Sequence, residues 1–175
     1  MWKGVENARS SKNIPHYPAD VEVTGIDVST RMLARAERGA RALGREVRLE
    51  LADVTDLPYP DGSFDTTVAT SVFCSVADPV SGLRELGRVT KPDGRILLLE
   101  HVRPRNRVGA WLADIATTFT RRIFGFNVNR RTEENVNAAG LVLTDVKREG
   151  IWRTMVAAPS ATNQESANRE EESTT

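Results

Sequence analysis

The sequence predicts a doubly wound α/β sheet with mainly parallel strands, and three observations carry that expectation. Short β-branched runs alternate with stretches of helical periodicity, and the connections between them are brief. RILLLEHV, Arg95 to Val102, is also an unbroken apolar run of the kind a strand needs when both its faces are covered.

Val21 to Ile26 (VEVTGI) is β-branched and lies between Pro18 and Asp27, which predicts a strand. A helix follows, with Ser29 or Thr30 as its cap. Met32, Leu33, Ala36, Ala40 and Leu43 share one face as far as Gly44, a C-cap. Val47 to Leu51 (VRLEL) alternates apolar and polar residues as a half-buried strand does, and ends at Ala52 and Asp53. In DLPYPDGSFD, Asp56 to Asp65, two prolines forbid a helix and Asp61-Gly62 marks a tight turn. Thr66 to Thr70 is the next strand and leads into SVFCSV. Pro79 opens a helix whose buried stripe is Leu83, Leu86 and Val89, and KPDG, Lys91 to Gly94, ends it before RILLLEHV. Val108, Trp111, Leu112, Ile115, Phe119 and Ile123 then fall on one helical face, and Thr132 to Ala139 is a further helix capped by Gly140. Leu141 to Lys147 and Ile151 to Ala157 are strands joined by a REG turn too short for anything but an antiparallel pair.

With 175 residues, 39% of them hydrophobic, the chain can bury one core, which predicts one domain over residues 1–159. The final stretch, SATNQESANREEESTT over 160–175, has four Glu, one Arg and no aliphatic side chain larger than Ala, and is expected to be disordered. Setting that Arg and those Glu aside from 24 basic and 24 acidic residues leaves 23 against 20, an excess too small to imply a nucleic-acid partner. A single cysteine, Cys74, excludes an intramolecular disulfide and fits a reducing compartment. No apolar run approaches the roughly 18 residues of a membrane span, and no basic-then-apolar leader opens the chain. A cytoplasmic protein is the expectation.

Ligands of open α/β sheets bind beyond the carboxyl ends of the strands, which singles out Asp27, Asp53-Val54, Thr70 through Cys74, and Glu100-His101. A carboxylate at the end of a strand can accept both hydroxyls of a ribose, and Asp27 is so placed; it can equally cap the helix that follows. Asp53 is placed to accept an exocyclic amine while Val54 covers the ring, or simply to form the turn before DLP.

The ordered set GIDVSTRML, LADVTDLPYPDGSFDTTVAT, SVFCSV and LRELGRVTKPDGRILLLEHV, with NVNRRTEENVNAAGL behind it, resembles the class I S-adenosylmethionine-dependent methyltransferases. The similarity runs from about Lys12 to Pro159. Its branch is that of the ubiquinone/menaquinone, phosphatidylethanolamine and small-molecule thiol methyltransferases. The resemblance implies a Rossmann-like sheet and an S-adenosylmethionine cofactor whose ribose meets Asp27, whose adenine meets Asp53 and Val54, and whose methionine end passes near Thr70. Methyl transfer then demands mostly geometry, since holding a nucleophile in line at about 3 Å and excluding water supplies much of the rate. His101 is the first candidate general base if the acceptor must lose a proton, the alternative being a structural, hydrogen-bonded His. Cys74 lines the acceptor pocket or serves as packing, and is not expected to be a nucleophile.

The same family begins with a buried strand and a glycine-rich turn. Here KGVEN, Lys3 to Asn7, is polar, and Ala8, Arg9, Ser10 and Ser11 stand where glycines belong. Side chains at that turn predict weak cofactor affinity, and any positive φ there costs about 1 kcal/mol or more per residue. The family sheet is thus N-terminally incomplete in sequence. A fragment with a disturbed start, a degenerate non-catalytic relative, and KGVEN serving as a poor first strand all account for it.

Between His101 and Arg131, seven Arg face one acid, Asp114, interleaved with Trp111, Phe119, Phe124 and Phe126. Residues 103–131 therefore suit either contact with an anionic membrane surface and a lipid headgroup, or a helix packed on the sheet with solvated arginines. The expected acceptor is a phospholipid headgroup amine or lipid-like small molecule, with a small thiol as alternative. The rival from another class is a non-catalytic or truncated remnant. A nicotinamide dehydrogenase is disfavoured, since no Tyr-x-x-x-Lys pair occurs.

Overall fold

A computed structural model describes residues 3–7, 13–101, 132–150 and 152–160 of the chain. Seven strands form one sheet: β1 (Lys3–Asn7), β2 (Glu22–Asp27), β3 (Arg48–Leu51), β4 (Phe64–Thr70), β5 (Thr90–His101), β6 (Leu141–Glu149) and β7 (Trp152–Pro159). Their spatial order is β3-β2-β1-β4-β5-β7-β6. The pairs from β3 to β5 are parallel, while β7 runs antiparallel to both β5 and β6. Among the described residues, three α-helices accompany the sheet: α1 (Thr30–Ala42), α2 (Pro79–Val89) and α3 (Thr132–Ala138). The crossovers from β2 to β3 and from β4 to β5 step in opposite directions along the sheet, so right-handed connections place α1 and α2 on opposite faces.

Most of the elements lie where the sequence predicts them, for the reasons the sequence gives. Ser29 caps α1 by accepting the Met32 N–H, and Gly44, at φ +62°, closes it. Asp78 caps α2 with Pro79 as its first residue, and Leu83, Leu86 and Val89 are buried in the core with Ile96, Leu98, Val136 and Met155. Two details differ. Leu43 is 47% exposed rather than part of the buried stripe, because α1 ends at Ala42 and the chain turns away at Gly44. KPDG does not merely stop α2: the strand already begins at Thr90, and Gly94 lies in its first half because there is no room for a side chain there. A Cβ on Gly94 would sit 2.8 Å from the Asp65 carbonyl oxygen and 2.9 Å from that of Lys91.

The interior position of the sheet between β2 and β4 is filled by KGVEN. Lys3 to Asn7 pair in parallel with Glu22 to Ile26 on one side, and Gly4 to Glu6 pair with Thr66 to Val68 on the other. The strand exists through its neighbours rather than its composition. An empty slot would leave facing ladders on β2 and β4 unsatisfied, a penalty that outweighs the poor strand propensity of Lys, Gly, Glu and Asn. The Ala8–Lys12 segment, the 103–131 segment and the 161–175 tail lie outside the described residues, as does the predicted helical face at 108–123.

Candidate functional site

The order of the strands reverses between β1 and β4, the place where ligands of doubly wound sheets bind. A cleft of about 530 Å³ opens beyond the carboxyl ends of β2, β3 and β4. Ile26, Asp27 and Val28 line it from β2, Ala52 to Thr55 from the end of β3, and Val72 with Ser75 to Ala77 from the segment after β4. Asp78 and Ser81, at the start of α2, complete it.

Asp27 and Asp53, the two carboxylates expected to share a ligand, both face this cleft. Asp27 is buried, at 8% exposure, and its Oδ1 accepts the Ser29 N–H at 2.9 Å. It therefore helps turn the chain into α1, whose cap is Ser29 rather than Asp27, and it also lines the cleft. Asp53 is exposed, and its Oδ1 accepts both the Thr55 N–H at 2.9 Å and the Thr55 hydroxyl at 2.8 Å, the geometry of a turn-forming Asp. Val54 is half-buried and packs towards α2: a Cβ placed on Gly82 would lie 3.2 Å from its Cγ1.

Thr70 stands apart from the cleft wall. Its hydroxyl accepts the Asn13 side-chain N–H at 3.0 Å, tying the end of β4 to the residue that precedes the short 3-10 turn Ile14–His16. Cys74 is buried and its thiol donates to the Ser71 carbonyl at 3.2 Å. His101 ends β5 opposite Trp152, and its side chain lies outside the described residues.

The cleft is acidic. Asp27, Asp53 and Asp78 line it, and no Lys, Arg or His among the described residues does. The Ser81 hydroxyl, at 2.6 Å, and the Ser81 and Val80 N–H groups hold the Asp78 carboxyl below the usual carboxylate range. The amino end of α2 is thus already occupied by its own carboxylate. Such a lining repels a pyrophosphate and suits a ligand with hydroxyls, an amine or a positive charge.

Behind the wall lies a residue whose role sequence reasoning missed. Glu100, the penultimate residue of β5, has no solvent exposure. Its Oε1 accepts the N–H groups of Val72 at 2.8 Å and Phe73 at 3.1 Å. Both follow Ser71, the single non-glycine residue with positive φ (53°) among those described, a conformation that costs on the order of 1 kcal/mol. The sequence singles out Glu100 with His101 as a strand-end pair, but an acid closing the apolar run Ile96 to Leu99 suggests no partner, and only His101 receives a role there.

Known proteins resemble this chain in sequence and in fold. Demethylmenaquinone methyltransferase of Thermus thermophilus is 46% identical over 83 residues, which is 47% of this chain and 38% of that protein. Phosphatidylethanolamine N-methyltransferase of Cereibacter sphaeroides is 37% identical over 91 residues, 51% of this chain and 45% of that one. The chain thus spans less than half the length of these curated relatives. Geranyl diphosphate C-methyltransferase of Streptomyces coelicolor, solved with Mg2+, geranyl diphosphate and S-adenosyl-L-homocysteine, shares the fold. Its TM-score is 0.70 at 16% identity, covering 91% of this chain and 73% of that one. The family model described as a methyltransferase domain matches residues 4–98, more than half of the sequence, from the polar first strand to the middle of β5, and the chain belongs to that methyltransferase-domain family.

Proposed function

We propose that this chain is an S-adenosylmethionine-dependent methyltransferase that acts on a phospholipid headgroup amine or a lipid-like small molecule. The observation that carries the reading is the acidic cleft in which Asp27 and Asp53 converge from the ends of β2 and β3. Its lining fits the adenosine half of the cofactor: a buried carboxylate for a diol, a second carboxylate for an amine, and apolar Val54, Val72 and Val76 for a ring. The cofactor, when bound, supplies a sulfonium methyl carbon that is already electrophilic. Asp27 and Asp53 would hold the ribose and adenine, with the methionine end directed towards Thr70. The chain's own contribution is to orient an acceptor towards that carbon and to keep water away. His101 is the residue proposed to take a proton from an amine acceptor.

The demethylmenaquinone and phosphatidylethanolamine relatives support a lipid-like acceptor by their names. The arginine- and aromatic-rich sequence over residues 103–131 supports contact with an anionic membrane surface. No helix among the described residues is long and apolar enough to cross a membrane. The test is transfer of labelled methyl from S-adenosylmethionine to phosphatidylethanolamine vesicles, set beside a simple alkyl thiol. Label is expected in the lipid. Label in the thiol alone would reassign the acceptor, and label in neither would favour a non-catalytic remnant. Asp27→Ala is expected to weaken S-adenosylhomocysteine binding about 10- to 100-fold, the loss of one or two charge-assisted hydrogen bonds, and calorimetric titration measures it.

A further inference from the structure

We propose that Glu100 is a positioning residue for the cleft: by holding the Val72 and Phe73 N–H groups, it fixes the chain reversal at Ser71 and so sets the wall that Val72, Ser75 and Val76 present to a bound adenosine. The inference rests on the cofactor reading given above. It starts from a carboxylate with no solvent exposure whose Oε1 serves two consecutive backbone amides, each 27 or 28 residues away in sequence.

The segment it holds leaves the sheet through a sharp reversal. Ser71 leaves the sheet in a left-handed conformation that a serine does not favour, anchored by its N–H to the Leu99 carbonyl at 2.8 Å. The next two amides point inward and end on Glu100. The remaining bonds named here are local: the Cys74 thiol to the Ser71 carbonyl, and the Ser75 hydroxyl and N–H to the Val72 carbonyl. Glu100 therefore couples the end of β5 to the loop after β4, through a side chain that does not itself line the cleft. Phe73, with 1% exposure, is fixed at the same time beneath Gly82, where a Cβ would lie 3.0 Å from its Cε1. Loss of the carboxylate would leave two buried N–H groups without this acceptor, and the loop would shift to satisfy them elsewhere.

The test compares three substitutions in the full chain. Glu100→Gln keeps a carbonyl oxygen for the two amides and should leave S-adenosylhomocysteine affinity within about threefold, whereas Glu100→Ala should weaken it about tenfold or more. Amide hydrogen exchange in the 71–77 peptide should accelerate in the Ala variant and stay near the original rate in the Gln variant. Should the Ala variant fail to fold, Glu100→Asp, which keeps the charge but draws the oxygens back by one methylene, should show the same two changes in smaller degree. Leu86→Ala, a core change on α2, provides the control for stability lost without repositioning. The proposal is overturned if Glu100→Ala or Glu100→Asp weakens binding no more than Leu86→Ala, or if exchange at 71–77 is unchanged. Failure of the original chain to bind S-adenosylhomocysteine would count against the cofactor reading, while the exchange rates alone would still decide whether Glu100 holds the loop.

Discussion

Arg88 clamps the loop that follows Asp53-Val54 with a single guanidinium. Its Nη1 donates to the Tyr59 carbonyl and to Asp61, both at 2.7 Å; its Nη2 donates to the Leu57 carbonyl at 3.0 Å and to Glu85 at 2.7 Å. Glu85 returns the contact by accepting the Leu57 N–H at 2.8 Å. Arg88→Ala is expected to cost about 1–3 kcal/mol, because backbone carbonyls and a partly buried carboxylate lose their donor. Arg88→Lys should recover little of that, since an ammonium cannot reach the four acceptors as a planar fork does; chemical denaturation measures both. Burial pushes the Glu85 carboxyl up, but the Arg88 hydrogen bonds, the Leu57 N–H and the guanidinium charge together hold it below its ordinary value of 4.5. A depressed carboxylate contributes stability that is present above its unfolded value and lost as pH falls through the folded one. Thermal stability should therefore drop as pH is lowered below about 4.5, and Glu85→Gln should flatten that part of the profile while lowering the plateau at neutral pH. Neither Arg88 nor Glu100 was legible in the sequence as a clamp. Periodicity reveals which residues share a face, and a side chain that bonds backbone groups some 30 residues away leaves no periodic trace.

At the scale of elements, the helices and apolar strands declared themselves through caps and alternation, and β1 did not. Its five residues earn their place by pairing with β2 and β4 at once. Because β1 has a strand on each side, its amides belong to ladders, and Val5→Pro should cost about 3 kcal/mol or more through a lost bond and a steric clash. Equilibrium denaturation would show it, accompanied by faster amide exchange in β2 and β4; unchanged exchange there would mean that β1 is dispensable. Gly94 offers a second element-level test. It needs no positive φ, only space, and Gly94→Ala should destabilise by about 1–3 kcal/mol because two backbone oxygens, besides the buried Thr90 methyl, stand in the way. An unaltered melting temperature would count against that close approach.

For the molecule as a whole, the question is whether one sheet with an atypical beginning still binds a cofactor. The cleft brings together Asp27, Asp53 and Asp78 from three elements, but Ala8 to Ser11 stand where the sequence resemblance implies glycines. Replacing that stretch by a glycine-rich turn, with apolar residues in Lys3–Asn7, should tighten S-adenosylmethionine binding by about tenfold or more, since close backbone approach is regained and strain at any positive φ is removed. Side-by-side calorimetric titration checks it, and equal affinities would show that the turn is not what limits binding. Appearance of binding only in the altered chain would favour the non-catalytic remnant over the enzyme.

The sequence by itself determined the order of strands and helices from β2 onward, a cap for α1 at Ser29 or Thr30, the start of α2 at Pro79, its apolar stripe and the antiparallel closing pair, because each is written in neighbouring residues. It also placed Asp27 and Asp53 at strand ends. Only the tertiary structure decided that these two carboxylates face one acidic cleft, that Thr70 is engaged by Asn13 outside it, that Glu100 accepts the amides of Val72 and Phe73, and that a polar pentapeptide occupies an interior place in the sheet between β2 and β4. The physical reason is common to all four. Each outcome depends on which backbone groups distant in sequence are left needing a partner, and that is settled when the sheet assembles rather than in any local stretch of chain.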